Sequence, residues 1–516
     1  MKDLVLAIDC STTGVKAIVW DGHGTRHAQG RCALSLSIPE PGWGEQDAGE
    51  WWSATESAVR QALVDVDPGR IAAIAVTHQR ESFVCLDEAG MQLRPAMLWL
   101  DARAGSQVER FGSPNIHDVT GKPPNPTPAF YKLMWLKENE PSTMERIAHV
   151  VDVHGYLTHR LTGEWRTSVS SADSLGLIDL RTGEYSPEIL ATIGLSLNQL
   201  SAVVPPGDPL GVLSGEGSAA LGLPPGVPII SGAGDGQAAG LGAGITTEGR
   251  AYLNIGTGLI SGSVSHNYTP SRAYRAMAGT VPGTVNYELF VGAGTFMISW
   301  FLDTFTQSQS QPQTQLQSES TATTTATTGE QQAYWESQAR SIKNGAEGLL
   351  VVPYWNGALT PYWDHNARGI MIGFSGVHST AHVYRAILEG VAFELRLCLD
   401  KAETELTEPI QEFVAMGGGT HSELWCQMFA DILNRPLVLA GEDEATCLGA
   451  GILAASGAGL HPSLAAAVSE MTSTGKRFEP NETVAAEYEK IFAVYRTVYP
   501  SVVDVYLALA NVGHDK

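Results

Sequence analysis

The sequence predicts an α/β protein of two related lobes that face each other across a cleft. Three observations lead there. The chain has 516 residues, too many for one hydrophobic core. Short apolar runs of strand character end repeatedly in Gly/Thr/Ser-rich loops, with helix-period segments between them. These strand-to-loop units recur in both halves, led by Asp9 in LAIDCSTTGVKAIVWD and by Asp235 in IISGAGDGQAAGLGAG.

Taken in order, LVLAID and KAIVWD read as strands, and ALSLSI reads as a third before the turn at 39–42. AGEWWSATESAVRQALVDV carries an amphipathic helix pattern with Trp51 and Trp52 on its core face. IAAIAV reads as a buried strand ending at Thr77 and His78, where the lone histidine is expected to make a structural hydrogen bond. PPGVPIISGAGD, RAYLNIGTG and EFVAMGGG each place a strand before a Gly-rich turn, the position at which α/β sheets bind ligands. Helix patterns follow over about 379–405, where Arg385 and Glu389 are spaced as an i, i+4 ion pair, and over 422–433. Residues 306–332 hold almost no apolar side chain and read as a low-complexity surface insertion. The expected division is a first lobe over 1–244 and a second over 245–516.

The net charge of −23 argues against nucleic acid and anionic membrane as partners and leaves small molecules. Cys10, Cys32, Cys85, Cys398, Cys426 and Cys447 show neither CxxC nor zinc spacing, as expected for reduced thiols of a cytoplasmic protein. No apolar run reaches the length of a membrane span, and the N-terminus lacks a signal-peptide pattern. A soluble protein is expected, and a homodimer is compatible with this surface.

The two Asp-led loops carry the chemistry. Small residues let backbone N–H groups approach phosphate oxygens, and a carboxylate beside them can hold Mg²⁺ or take a proton. Asp9 would position Mg²⁺, while Ser11, Thr12, Thr13 and Lys16 would meet the phosphates of ATP. Asp235 would be the base on an acceptor hydroxyl, because phosphoryl transfer asks the protein for positioning, charge neutralisation and a place for the proton. An N-cap role for Asp235 at the following helix is compatible with that. Thr257, in the turn at 255–258, could donate to a phosphate, and the turn at 417–419 could let adenine lie against backbone. For the acceptor, THQRES supplies Gln79, Arg80 and Glu81, and AMLWLDAR supplies Trp99 as a platform with Asp101 and Arg103 as polar ends.

FYKLMWLKENEP and GIMIGFSGVHSTAHVYRAILEG resemble the two signature segments of the FGGY family of carbohydrate kinases, with GAGDGQAAGLGAG, NIGTG and MGGGTHSELWCQMFADIL in the expected order. The resemblance covers all but the 306–332 insertion. It implies two actin-like (ribonuclease H-like) ATPase lobes with the active site in the cleft between them, sugar on the first and ATP on the second. By position it implies Asp9 for Mg²⁺, Asp235 as base, Gly256 and Thr257 on phosphates, and Gly418 and Gly419 near the adenosine. Ser11 stands where the family commonly has Gly, so this turn must use a conformation open to a non-glycine residue. The Arg80–Glu81 pair and PYWD at 361–364 resemble glycerol kinases, whereas LEGVAFELR, GGGTHSELW and Gly236 resemble pentulose kinases. The implied reaction is γ-phosphoryl transfer from MgATP to a terminal hydroxyl of a small ketose such as xylulose, with glycerol or another short polyol as the alternative acceptor. A non-catalytic actin-like ATP/sugar sensor and a chaperone-type ATPase are the rival classes. Asp235 weighs against the sensor, and the polar cluster of Gln79, Arg80 and Glu81 against the chaperone-type ATPase.

Overall fold

A computed structural model describes residues 2–306 and 328–512. Two large mixed sheets organise it. The first runs, edge to edge, through Pro209–Val212, Pro228–Gly234, Ile71–His78, Leu4–Cys10, Gly14–Asp21 and Arg26–Ala33. Its last three strands form an antiparallel meander, and Ile71–His78 and Pro228–Gly234 lie parallel to Leu4–Cys10. The second repeats the plan: Arg250–Ile255, Leu259–Ser265 and Val285–Val291 form the meander, and Glu412–Met416 and Leu437–Ala440 continue it in parallel. The repeat bears out the expected pair of related α/β lobes.

Each central strand is buried on both faces, which is why it reads as a continuous apolar run. Leu4, Leu6 and Ile8 pack with Trp51, Ala58 and Val59 of the helix Ala48–Ala62, while Val5 and Ala7 face the opposite way into a layer with Leu448 and Ile452. In the second sheet Leu253 and Ile255 join the large core of the helices Thr380–Ala402 and Glu423–Leu433. Tyr252, on the other face, meets Ala239 and Ala243.

The two helices that carry those opposite faces cross each other. Asp235–Gly242 follows the first sheet and bridges to the second, with Ala238 and Leu241 in the first sheet's layer and Ala239 against Tyr252, while Ala445–Gly457 follows the second and packs on the first. The crossing is at backbone distance: a Cβ on Gly242 would stand 1.9 Å from the Ala445 carbonyl oxygen, and one on Gly449 1.9 Å from that of Ala238. Side chains at either position would pry the lobes apart.

Two expectations shift. The third strand is Arg26–Ala33 rather than ALSLSI, because this edge strand buries only one face, so its Arg, His and Gln residues hide it from a hydrophobic pattern; Leu36 and Ile38 are exposed instead. The polar insertion falls largely on 307–327, outside the described residues, but its last residues open the helix Thr328–Arg340. Trp51 and Trp52 are buried, and Arg385 pairs with Glu389 at 2.7 Å as the spacing predicts.

Candidate active site

The first sheet brings the two acidic loops to one edge. Asp9 lies opposite Thr77 and Thr77 opposite Ala233, so the ends of three adjacent parallel strands carry Asp9, Thr77 and, one residue past the third strand, Asp235. Two strand spacings separate the outer ends by about 10 Å, a gap that a phosphoryl group and an acceptor hydroxyl can share. Asp9 is half-buried, and its Oδ1 is fully buried without a hydrogen-bond partner. Burial, followed by the charge of Asp235, pushes its carboxyl up to about 7 against the opposing pull of Lys16. An orphaned oxygen in a surplus of negative charge suits a divalent cation. Among the described residues no three acidic, His or Cys side chains gather as a metal cage.

Asp235 opens its helix as the first residue after the cap Gly234. Its Oδ1 accepts from Arg80 Nε at 2.6 Å and from the Gly236 amide at 2.7 Å. Oδ2 makes no hydrogen bond among the described residues, and the side chain is 44% exposed. One oxygen is therefore fixed and the other is offered to the cleft.

Arg80 is the hub. Its Nη1 donates to both oxygens of Glu288 at 2.8 and 2.7 Å and also reaches Gln237. Glu288, from the second sheet, is fully buried and accepts as well from Arg275 Nη2 at 2.9 Å and from the Tyr252 hydroxyl at 2.8 Å. Burial pushes its carboxyl up, but the two guanidiniums overcome that and hold it down at about 2. Arg275 continues to Glu81 at 2.7 Å, and Lys122 pairs with Asp173 at 3.0 Å beside it. Arg80 and Glu81 are adjacent in sequence yet answer partners in the other half of the chain. A side chain at Gly236 has no room, since its Cβ would stand 2.3 Å from Glu288 Oε1 and 2.7 Å from Arg80 Nη2. Glu288, Arg275 and Tyr252 escaped the sequence reading because a lone Glu or Arg in a strand carries no motif.

The remaining acceptor candidates divide. Trp99 is half-buried and donates its indole N–H to Thr12 Oγ1 at 2.9 Å, and Thr12 donates to Gln79 Oε1 at 3.0 Å. Gln79 is buried and also meets Gln46 and Ser82, so it holds the pocket wall rather than offering a free amide. Asp101 is fully buried, its carboxylate closed by the Gly44 amide and the Arg103 guanidinium, and Arg103 stacks on Trp43. That is a structural ion pair, not a pocket-lining oxygen. His78 is buried with Nδ1 on the Gln79 carbonyl, the structural placement expected of it.

In the phosphate loop, Ser11 has no positive φ, as its non-glycine identity requires, and closes the hairpin through its hydroxyl on the Gly14 carbonyl. Thr13 is exposed. Lys16 is paired with Glu444, which Arg31 also reaches at 2.8 Å, so in this arrangement its ammonium is engaged across the lobes rather than free for phosphate. On the second sheet Asn254 lies opposite Met416, which places the turns at 256–258 and 417–419 side by side. Thr257 is exposed; Gly417 has φ 88° and would bring a Cβ within 2.4 Å of Asn254 Oδ1. Gly419 is packed on Ile255, whereas Gly418 is open. The result is a smooth backbone shelf at the end of the second sheet's central strands.

Residues 4–242 match the N-terminal domain and residues 251–458 the C-terminal domain of the FGGY family of carbohydrate kinases. The chain is 29% identical to a xylulose kinase of Lactococcus lactis over 97% of both proteins, and 26% identical to a gluconokinase of Bacillus licheniformis over 99% of this chain and 98% of that one. The ligand-bound xylulose kinase structure from Lactobacillus acidophilus superposes with a TM-score of 0.89 at 25% identity, covering 98% of this chain and 99% of its own. Two actin-like lobes, an acidic strand edge on the first sheet with a glycine shelf on the second, and both domain matches lead to one conclusion: this chain belongs to the FGGY family of carbohydrate kinases and is an ATP-dependent sugar kinase.

Proposed function

We propose that the chain transfers the γ-phosphoryl of MgATP to a terminal primary hydroxyl of a neutral ketose, a pentulose such as xylulose first and glycerol or another short polyol second. The observation that carries this is the asymmetry of Asp235, with Oδ1 pinned by Arg80 and Gly236 and Oδ2 free. The acceptor oxygen forms a bond to the γ-phosphorus as the bond to the β,γ-bridging oxygen breaks; ADP leaves, and the hydroxyl proton passes to Oδ2. Mg²⁺, held at Asp9, would neutralise charge on the phosphates. Gly256, Thr257, Gly418 and Gly419 would line the nucleotide, and Ser11, Thr12 and Thr13 the phosphates.

Charge accounting favours a neutral acceptor over an aldonate. Arg80 and Arg275 already answer Asp235, Glu81 and Glu288, Lys122 answers Asp173, and Lys132 is held by the Leu98 and Thr127 carbonyls. A carboxylate substrate would enter a cluster whose cations are taken. Arg80 Nη2 and the Trp99 ring remain for sugar hydroxyls and carbon faces. Six free thiols, five buried, fit a reducing cytoplasm, and the exposed Ile372, Phe374 and Val377 form the kind of apolar patch that a homodimer covers.

A coupled ADP-release screen over ketopentoses, gluconate and glycerol tests the proposal. The strongest stimulation is expected from a ketopentose. Gluconate as best acceptor would contradict the charge argument, and acceptor-independent turnover would favour a chaperone-type ATPase.

A further inference from the structure

We propose that Glu288 is a positioning residue for the base Asp235, delivered from the opposite lobe, a reading that rests on the assignment of Asp235 above. Glu288 and Arg275 are cross-strand partners on the second sheet. Arg80 and Asp235 follow neighbouring strands of the first. Glu288 grips Arg80 Nη1 with both oxygens and is itself fixed by Arg275 and by the Tyr252 hydroxyl, so the guanidinium has one orientation. In that orientation Nε holds Asp235 Oδ1 and leaves Oδ2 unbonded.

Without the Glu288 charge, Nη1 keeps only its longer bond, at 3.3 Å, to the neutral Gln237 amide oxygen. The Arg80 fork can then rotate to close on Asp235 through Nε and Nη2, the two-pronged geometry that guanidinium and carboxylate prefer. Oδ2, the oxygen that takes the acceptor proton, is engaged and turnover falls. Since the gripping carboxylate and the gripped guanidinium belong to different lobes, the base is oriented only while the lobes hold this relation. Gly236 completes the pairing: its missing side chain is the space that Glu288 Oε1 and Arg80 Nη2 occupy.

The test is steady-state ADP release by Glu288→Gln, by Arg80→Gln and by the double variant, with the best acceptor of the screen. Glu288→Gln is expected to lose kcat by roughly 10- to 100-fold while the ATP KM stays within about threefold and the acceptor KM rises by a smaller factor than kcat falls, as Nη2 leaves the sugar. In the Arg80→Gln background it should cost little more, because it acts through Arg80. Tyr252→Phe, which removes one hydroxyl from Glu288 and keeps the ring, should show the same split at smaller amplitude in a folded protein. Unchanged kcat in Glu288→Gln, or losses that simply multiply in the double variant, would overturn the proposal. Asp235→Asn separates the two levels: if it loses turnover while Glu288→Gln does not, only the positioning role fails, and if it keeps turnover, the assignment of the base fails.

Discussion

Gly236→Ala sets two effects of opposite sign against each other, and the structure decides between them. The residue lies in the first turn of the helix Asp235–Gly242 and has no positive φ, so the backbone itself would accept alanine. Helix propensity alone predicts a gain of up to about 1 kcal/mol. The new methyl would, however, stand 2.3 Å from Glu288 Oε1, about 1 Å inside ordinary contact, and 2.7 Å from Arg80 Nη2. Neither neighbour is the loose end of a surface side chain: Glu288 is fully buried and Arg80 nearly so. Overpacking of this kind costs about 1–3 kcal/mol, and parting a buried ion pair about 3–5 kcal/mol. Sterics win: set against the helix gain, overpacking leaves a net loss of up to about 2 kcal/mol, and parting the ion pair raises it to about 2–4 kcal/mol or more. Because the displaced groups hold Asp235, kcat should fall by about 10-fold or more. Urea denaturation and acceptor-dependent ADP release measure the two effects. A variant as stable and as active as the wild type would refute the close packing of Gly236, Glu288 and Arg80.

Two further perturbations read other parts of the molecule. Glu394 is buried with Tyr354 and Tyr495 hydroxyls on its oxygens, and burial raises its carboxyl from 4.5 to about 7. The folded state therefore prefers the protonated form: its contribution is fully present below pH 4.5 and is lost as pH rises to about 7, a change of about 3 kcal/mol. Glu394→Gln should flatten the decline in urea midpoint between about pH 5 and about pH 8, and an undiminished decline would contradict this. Asp9→Asn should raise the Mg²⁺ concentration for half-maximal velocity by about 10-fold or more with little change in acceptor KM, as a Mg²⁺ titration at fixed ATP would show.

How much of this was legible in the sequence depended on the reach of each interaction. The strands Leu4–Cys10 and Ile71–His78 announced themselves because burial on both faces makes them apolar almost to their ends, and the loop after the first carries local Ser, Thr and Gly signals. Asp9 and Asp235 could be placed at strand ends for the same reason. Glu288 could not, since its partner Arg80 is 208 positions away and the strand VNYELFV gives no sign of what faces it. Lys16 read as a phosphate ligand because Glu444, 428 positions on, has no local link to it. Asp101 looked like a pocket residue until the fold set Gly44 and Arg103 around it. Local chemistry survives in a sequence, whereas ion pairs across lobes exist only after the sheets are assembled.

The most direct measurement of the central claim is the turnover of Asp235→Asn with the preferred acceptor, alongside calorimetric binding of ATP and sugar. Loss of kcat by several orders of magnitude with both affinities near wild type is the result expected if Oδ2 takes the acceptor proton. A variant that keeps near wild-type kcat would contradict it.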